Sequence, residues 1–107
     1  MTENREYCKR IAEEIEEYAA GKMVDDDGNE LSLYDYLADV LDYEFTIDGR
    51  KEYKAAKIWV TLGGPNVWID TAERAVKLAW GTDREFYPLD YDVCDEIDEI
   101  MREIYKN

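Results

Sequence analysis

The residue types that carry out most enzymatic chemistry are scarce in this sequence, whereas carboxylates are abundant. The 107 residues include no histidine, which removes the usual general base near neutral pH and the commonest metal ligand. The one serine, Ser32, fits a helix cap, and neither Cys8 nor Cys94 has a histidine partner that could activate its thiol. The sequence therefore predicts that the protein is not an enzyme and uses no cofactor.

Carboxylates could support two kinds of chemistry in this sequence, calcium binding and glycoside hydrolysis. The acidic segment 25–30 resembles a calcium-binding loop. Aligning Gly28 with the invariant loop glycine, however, places Met23 and Tyr34 at the first and last ligand positions, where carboxylates are required. We interpret the segment as a turn and predict no metal site. A pair of carboxylates could also hydrolyse glycosides, but among 27 acidic residues such pairs arise by chance.

The acidic residues are concentrated in two blocks. The formal net charge is −14, with thirteen acids against one base in residues 12–48 and eight acids against two bases in residues 85–107. The central residues 50–84 reverse the sign, with seven bases against four acids. Such blocks favour cationic partners and repel nucleic acid and anionic membranes. The sequence therefore predicts a cationic protein partner and no direct binding to nucleic acid or membrane.

The two acidic blocks include the predicted first and last helices. Helix neighbours three or four residues apart lie about 5–6 Å from each other. Successive phosphates along a nucleic-acid strand have a comparable spacing, so an acidic helix can imitate that backbone for a protein that grips it. The alternative is that the carboxylates only keep the protein soluble. The predicted partner-binding residues are Glu13, Glu14, Glu17, Asp92, Asp95, Glu96, Asp98, Glu99 and Glu103.

The hydrophobic pattern predicts a single α+β domain over residues 1–107, because a chain of this length supports one core but not two. An apolar stripe at helical spacing over residues 8–19 predicts the first helix, and Ser32 with Asp35 predicts the capping box of a short second one. A third stripe over residues 93–104 predicts the last helix, capped by Asp90 or Asp92. Cys8 and Cys94 fall on these apolar stripes, so we expect buried free thiols.

The segment between the helices switches to a period of two. This pattern predicts strands near residues 43–48, 55–62, 66–70 and 75–80, followed by a loop through Tyr87 and Pro88. The predicted fold is thus a four-stranded antiparallel β-meander preceded by two helices and followed by a C-terminal helix. The sequence contains neither a run of 18 apolar residues nor a secretory segment, so we expect a cytoplasmic protein.

Alternation along the strands places Lys57, Trp59, Thr61 and Trp68 on the sheet face opposite the expected core. Two tryptophans are costly to leave in water. Three explanations stay open: the loop at residues 85–87 folds over them, they form a homodimer contact, or they bind another partner.

The segment KIWVTLGGPNVWIDT (residues 57–71), together with SLYDY (residues 32–36) and DYDVCDEI (residues 90–97), resembles a family of small acidic proteins carried on phages and conjugative elements of Firmicutes. The resemblance covers most of the chain and brings no catalytic motif. Such elements commonly encode inhibitors of host defence, including anti-CRISPR proteins that occupy the nucleic-acid channel of Cas9. The resemblance thus implies an inhibitor of a Cas9-type nuclease, acting in the bacterial host cytoplasm by nucleic-acid mimicry. The alternative is a non-catalytic homodimeric structural or regulatory module that uses the Trp59/Trp68 sheet face.

Overall fold

A computed structural model describes residues 2–107 of the chain. Helices lie at both ends of the chain and a five-stranded antiparallel sheet lies between them. The elements are α1 (Thr2–Ala19), α2 (Leu33–Ala38), β1 (Asp42–Ile47), β2 (Tyr53–Thr61), β3 (Asn66–Asp70), β4 (Ala75–Trp80), β5 (Asp83–Pro88) and α3 (Tyr91–Lys106). The predicted α+β class and antiparallel meander are confirmed, with strand ends that differ from the prediction by at most two residues.

The prediction of four strands is wrong, because residues 83–88 form a fifth strand instead of a loop. β5 pairs with β4 from Trp80↔Asp83 to Ala75↔Pro88 and, within residues 2–107, is an edge strand of the sheet. Each face of β5 mixes charged and apolar residues, with Glu85 beside Tyr87 on one and Arg84 beside Phe86 on the other, so the strand lacks the apolar alternation that marks the other strands. Its final proline is also tolerated, since an edge strand need not donate every N–H to a ladder.

The sheet has the order β1-β2-β3-β4-β5, so each strand is next to its sequence neighbour. The helices pack on one side of it: α1 contacts β4 and β5, α3 contacts β2, and α1 also contacts α2 and α3. We call the covered side the inner face and the opposite side the outer face. The inner face supplies the fully buried core residues Ile58, Val67, Ile69, Val76 and Leu78.

The helices close this core with the predicted apolar stripes. Cys8 and Ile15 of α1 and Cys94 and Ile97 of α3 are fully buried. Both cysteines are free thiols, as predicted, and burial raises the pKa of each to about 11. Trp80 alternates in β4 with the core residues Val76 and Leu78 but is 52% exposed. It ends the strand and packs against Gly64, where a side chain would collide with its ring.

Local capping chemistry is as the sequence predicts. The Ser32 Oγ accepts from the Asp35 N–H at 3.3 Å, and the Asp35 carboxylate accepts from the Ser32 N–H at 2.7 Å. Asp90, the first of the two predicted candidates, caps α3 by accepting from the Asp92 N–H at 2.8 Å. The carboxylate of Asp25 accepts N–H bonds within the 25–29 turn, which lowers its pKa. No helix within residues 2–107 is long and apolar enough to cross a membrane.

Candidate partner-binding surface

The C-terminal end of α1 and the N-terminal end of α3 meet and form a groove on the helical side of the molecule. The groove has a volume of about 370 Å³ and is lined by carboxylates above a small apolar floor. Its lining residues are Glu16, Ala19, Ala20, Asp90, Asp92, Val93 and Glu96. A second depression shares Glu16 and Ala20 with the first and is completed by Glu13, Glu17 and Lys22. We call the two depressions together the acidic groove.

The acidic groove gathers carboxylates that are far apart in the sequence. Of the predicted partner-binding residues, it includes Glu13 and Glu17 from α1 and Asp92 and Glu96 from α3. All four side chains are exposed. Because α1 and α3 contribute to one surface, their charges add to one local electrostatic potential.

Glu16 connects the two depressions but does not belong to the predicted binding set. The sequence did contain a signal for it, because Glu16 lies one helical turn after the buried Ala12 and therefore flanks the core stripe of α1. Asp90 was predicted only as a cap, and it serves both as the cap and as part of the groove lining.

Glu14 lies on a different flank of α1, towards α2. The pKa of the Tyr36 hydroxyl is raised first by burial and next by the charge of Glu14, and the pKa of Tyr18 is raised in the same way. The two tyrosine rings pack with centroids 5.0 Å apart. Glu14 therefore faces this aromatic pair and does not line the groove.

Two predicted residues of α3 bind other side chains of the same protein, Asp98 at a half-buried position and Asp95 at the surface. Asp98 is half-buried and accepts from the Tyr53 hydroxyl at 2.5 Å. Asp95 forms an ion pair with Arg74 at 3.3 Å, and the Arg74 guanidinium lies 4.3 Å from the Tyr91 ring centroid. Glu99 and Glu103 are exposed further along α3, outside the groove lining.

The outer face of the sheet carries the predicted tryptophan pair. Trp59 and Trp68 are directly opposite each other in the β2–β3 register, with ring centroids 4.9 Å apart. They lie on the same face, as predicted, and both are half-buried. Lys57 is exposed beside them. The prediction that Thr61 shares this face is wrong, because a register shift between Trp59 and Thr61 pairs Thr61 with the inner-face residue Val67. The Thr61 hydroxyl donates to the Pro65 carbonyl at 2.7 Å.

Residues 85–87 do not fold over the tryptophans, so this explanation for the outer face is wrong. They belong to β5, and the strand registers place Asp42, Trp59, Trp68, Lys77 and Phe86 in one row across the sheet. Phe86 is 54% exposed. The strand thus extends the apolar part of the outer face instead of covering it.

The charges of the outer face are partly paired. The Lys77 ammonium lies 2.7 Å from a Glu73 carboxylate oxygen and 3.7 Å from the Asp70 carboxylate. The Glu73 pKa is lowered by the hydrogen bond from Lys77, and the Lys77 pKa is raised by the same bond. This pairing differs from the acidic groove, where Lys22 is the one base among the described lining residues.

Within residues 2–107 no three acidic or cysteine side chains are grouped so that they could hold a metal ion. No protein-family model matches the chain, and no curated protein or solved structure is significantly similar to it. The resemblance to small acidic proteins of phages and conjugative elements therefore stays a prediction.

Proposed function

We propose that this protein is an inhibitor that binds a cationic nucleic-acid-binding protein through the acidic groove, in the place that nucleic acid would take. A Cas9-type nuclease is the target class that the sequence resemblance selects. The observation that supports the proposal most is the meeting of α1 and α3, which joins Glu13, Glu16 and Glu17 with Asp92 and Glu96 on one surface.

The physical argument is that these carboxylates repel one another. Like charges three or four residues apart destabilise a helix, and bringing a second acidic helix alongside adds to the repulsion. A cationic surface shaped for phosphates would relieve this repulsion on binding. The apolar floor of Ala19, Ala20 and Val93 would accommodate the methylene stem of a lysine or arginine, while the surrounding acids bind its charged head.

A competition experiment tests the proposal. Purified Cas9, with and without guide RNA, is mixed with the protein, and binding is measured against labelled guide or target nucleic acid over a range of salt concentrations. We expect the protein to displace nucleic acid and its affinity to fall steeply with salt, because the cationic groups of the target evolved to bind phosphate. Simultaneous binding of both, undisturbed by each other, would contradict mimicry.

Charge-reversal variants test whether the acidic groove is the surface that binds the target. The pair Asp92→Lys with Glu96→Lys should abolish binding while circular dichroism shows an intact fold. The matched control is Asp26→Lys with Asp27→Lys, which makes the same change of charge at exposed turn residues outside the groove lining. Equal losses in both variants would mean that only net charge matters. Asp95 is unsuitable for this test because its reversal would also break the ion pair with Arg74.

A further inference from the structure

The outer face of the sheet presents an aromatic surface that the helices leave uncovered. Trp59 and Trp68 lie at its centre and Phe86 on its β5 side, while α1 and α3 pack on the inner face. Partly exposed aromatic side chains grouped on one face are typical of an interaction site. Its occupant can be inferred from the distribution of charge around the aromatic residues.

The acids and bases of the outer face lie at opposite edges. Asp42 and Glu44 lie on β1 at one edge, and Arg84 lies on β5 at the other. All three side chains are exposed. The β1 edge of the outer face is therefore negatively charged and the β5 edge is positively charged, so the two edges are electrostatically complementary.

We infer that the outer face binds the outer face of a second copy of this chain, related by a two-fold axis that runs parallel to the strands near β3. This axis places β1 of one copy over β5 of the other. Such an axis keeps the position of each residue along the strands. It places Asp42 of each copy over Phe86 of its partner, two residues from Arg84, and brings the two Trp68 side chains together at the centre. An axis perpendicular to the strands would instead place β1 over β1, with acids facing acids.

Charge also explains why a second copy would meet this face and not another. Each copy carries a net charge of −14, so two copies repel each other over most of their surfaces. On the outer face Lys57, Lys77 and Arg84 offset Asp42, Glu44, Asp70 and Glu73, and the repulsion is small there.

The available area is sufficient for a moderate dimer. Five strands about 4.8 Å apart and about six residues long, at about 3.3 Å per residue, give a footprint of roughly 24 Å by 20 Å. Projecting side chains enlarge the accessible area above this flat value, towards the roughly 800 Å² per partner of a standard interface. The dimer would leave the acidic groove free, because the groove lies on the opposite side of the sheet. The inference therefore does not depend on the proposed inhibitor function.

Sedimentation velocity and light scattering over a range of concentrations test the dimer. Wild type should form dimers, and Trp68→Ala or Phe86→Ala should raise the dimer dissociation constant about tenfold or more. Phe86→Ala is the safer variant because the side chain is 54% exposed and its loss should leave the fold intact. A wild-type protein that remains monomeric at millimolar concentration would overturn the inference.

A charge swap tests the orientation of the axis. Asp42→Arg and Arg84→Glu should each weaken the wild-type dimer, because each variant alone places like charges together. An equimolar mixture of the two should recover dimers, since the arginine introduced on β1 of one variant then faces the glutamate introduced on β5 of the other. If neither single variant changes the dimer, the two copies do not meet with β1 over β5.

Discussion

The helical side and the outer sheet face of this protein handle charge in opposite ways. In the acidic groove, carboxylates from α1 and α3 face one another with Lys22 as the one base among the described lining residues. On the outer face, Lys77 bridges Asp70 and Glu73. The groove thus keeps an uncompensated charge that suits a cationic partner, whereas the outer face is balanced and aromatic, which suits a surface like itself.

Acidic residues that look equivalent in the sequence also differ in what they contact. Along α3, Asp98 binds the Tyr53 hydroxyl, Asp95 binds Arg74, and Glu96 lines the groove. An acidic residue therefore contributes to the fold or to an external surface according to its helical angle. Four measurements would sharpen or break these comparisons.

The largest difference in the free energy of unfolding is expected between a substitution on the inner face of the sheet and one on the outer face. Ile69→Ala, on the inner face, should lower the free energy of unfolding by about 2–5 kcal/mol, because it leaves a cavity at a fully buried site. Phe86→Ala, on the outer face, should change it by about 1 kcal/mol or less, because the side chain is 54% exposed and loses only a surface cation–π contact with the Arg5 guanidinium, 5.9 Å from the ring centroid. Urea unfolding at concentrations too low for self-association measures both. Similar losses would mean that the outer face is buried within the monomer.

The second-largest difference in the free energy of unfolding is expected between two neighbouring acidic residues of α3. Asp98→Ala should lower the free energy of unfolding by about 1–3 kcal/mol, because the buried Tyr53 hydroxyl loses its acceptor. Glu99→Ala, the matched control one residue later, should stay within about 0.5 kcal/mol of wild type. Asp98→Asn keeps an acceptor oxygen and should recover part of the loss. Equal effects at Asp98 and Glu99 would contradict the structural role of Asp98.

The smallest expected changes in stability come from removing one carboxylate in each region, and the two changes should have opposite signs. Glu16→Gln should raise the free energy of unfolding by a few tenths of a kcal/mol at low salt, since it relieves repulsion in the groove. Glu73→Gln should lower stability slightly, because Glu73 loses its ion pair with Lys77. Thermal unfolding at low and high salt measures both, and high salt should reduce both changes.

The Glu73 effect should also depend on pH. The Glu73 pKa is lowered in the folded protein, so its contribution is complete above the ordinary value of 4.5 and is lost as the pH falls through the folded-state pKa. Wild type and Glu73→Gln should therefore converge in acid. A stability change of the same sign at Glu16 and Glu73 would mean that the two regions do not differ electrostatically.

The sequence by itself determined the elements whose signals are local. The apolar stripe through Cys8 and Ile15, the capping box of Ser32 and Asp35, and the alternation along β2 to β4 depend on residues a few positions apart. The placement of Trp59 and Trp68 on one face follows from the same period of two. Such patterns can be read directly, because helix and strand geometry repeat over short distances.

Only the tertiary structure decided what depends on contacts between distant residues. β5 became a strand because β4 pairs with it, although its own sequence lacks a clear alternation. Asp95 and Asp98 acquired Arg74 and Tyr53 as partners, which are 21 and 45 residues away in the sequence. The acidic groove exists because α1 and α3 pack side by side, and the charges of one helix do not specify which other helix will lie next to it.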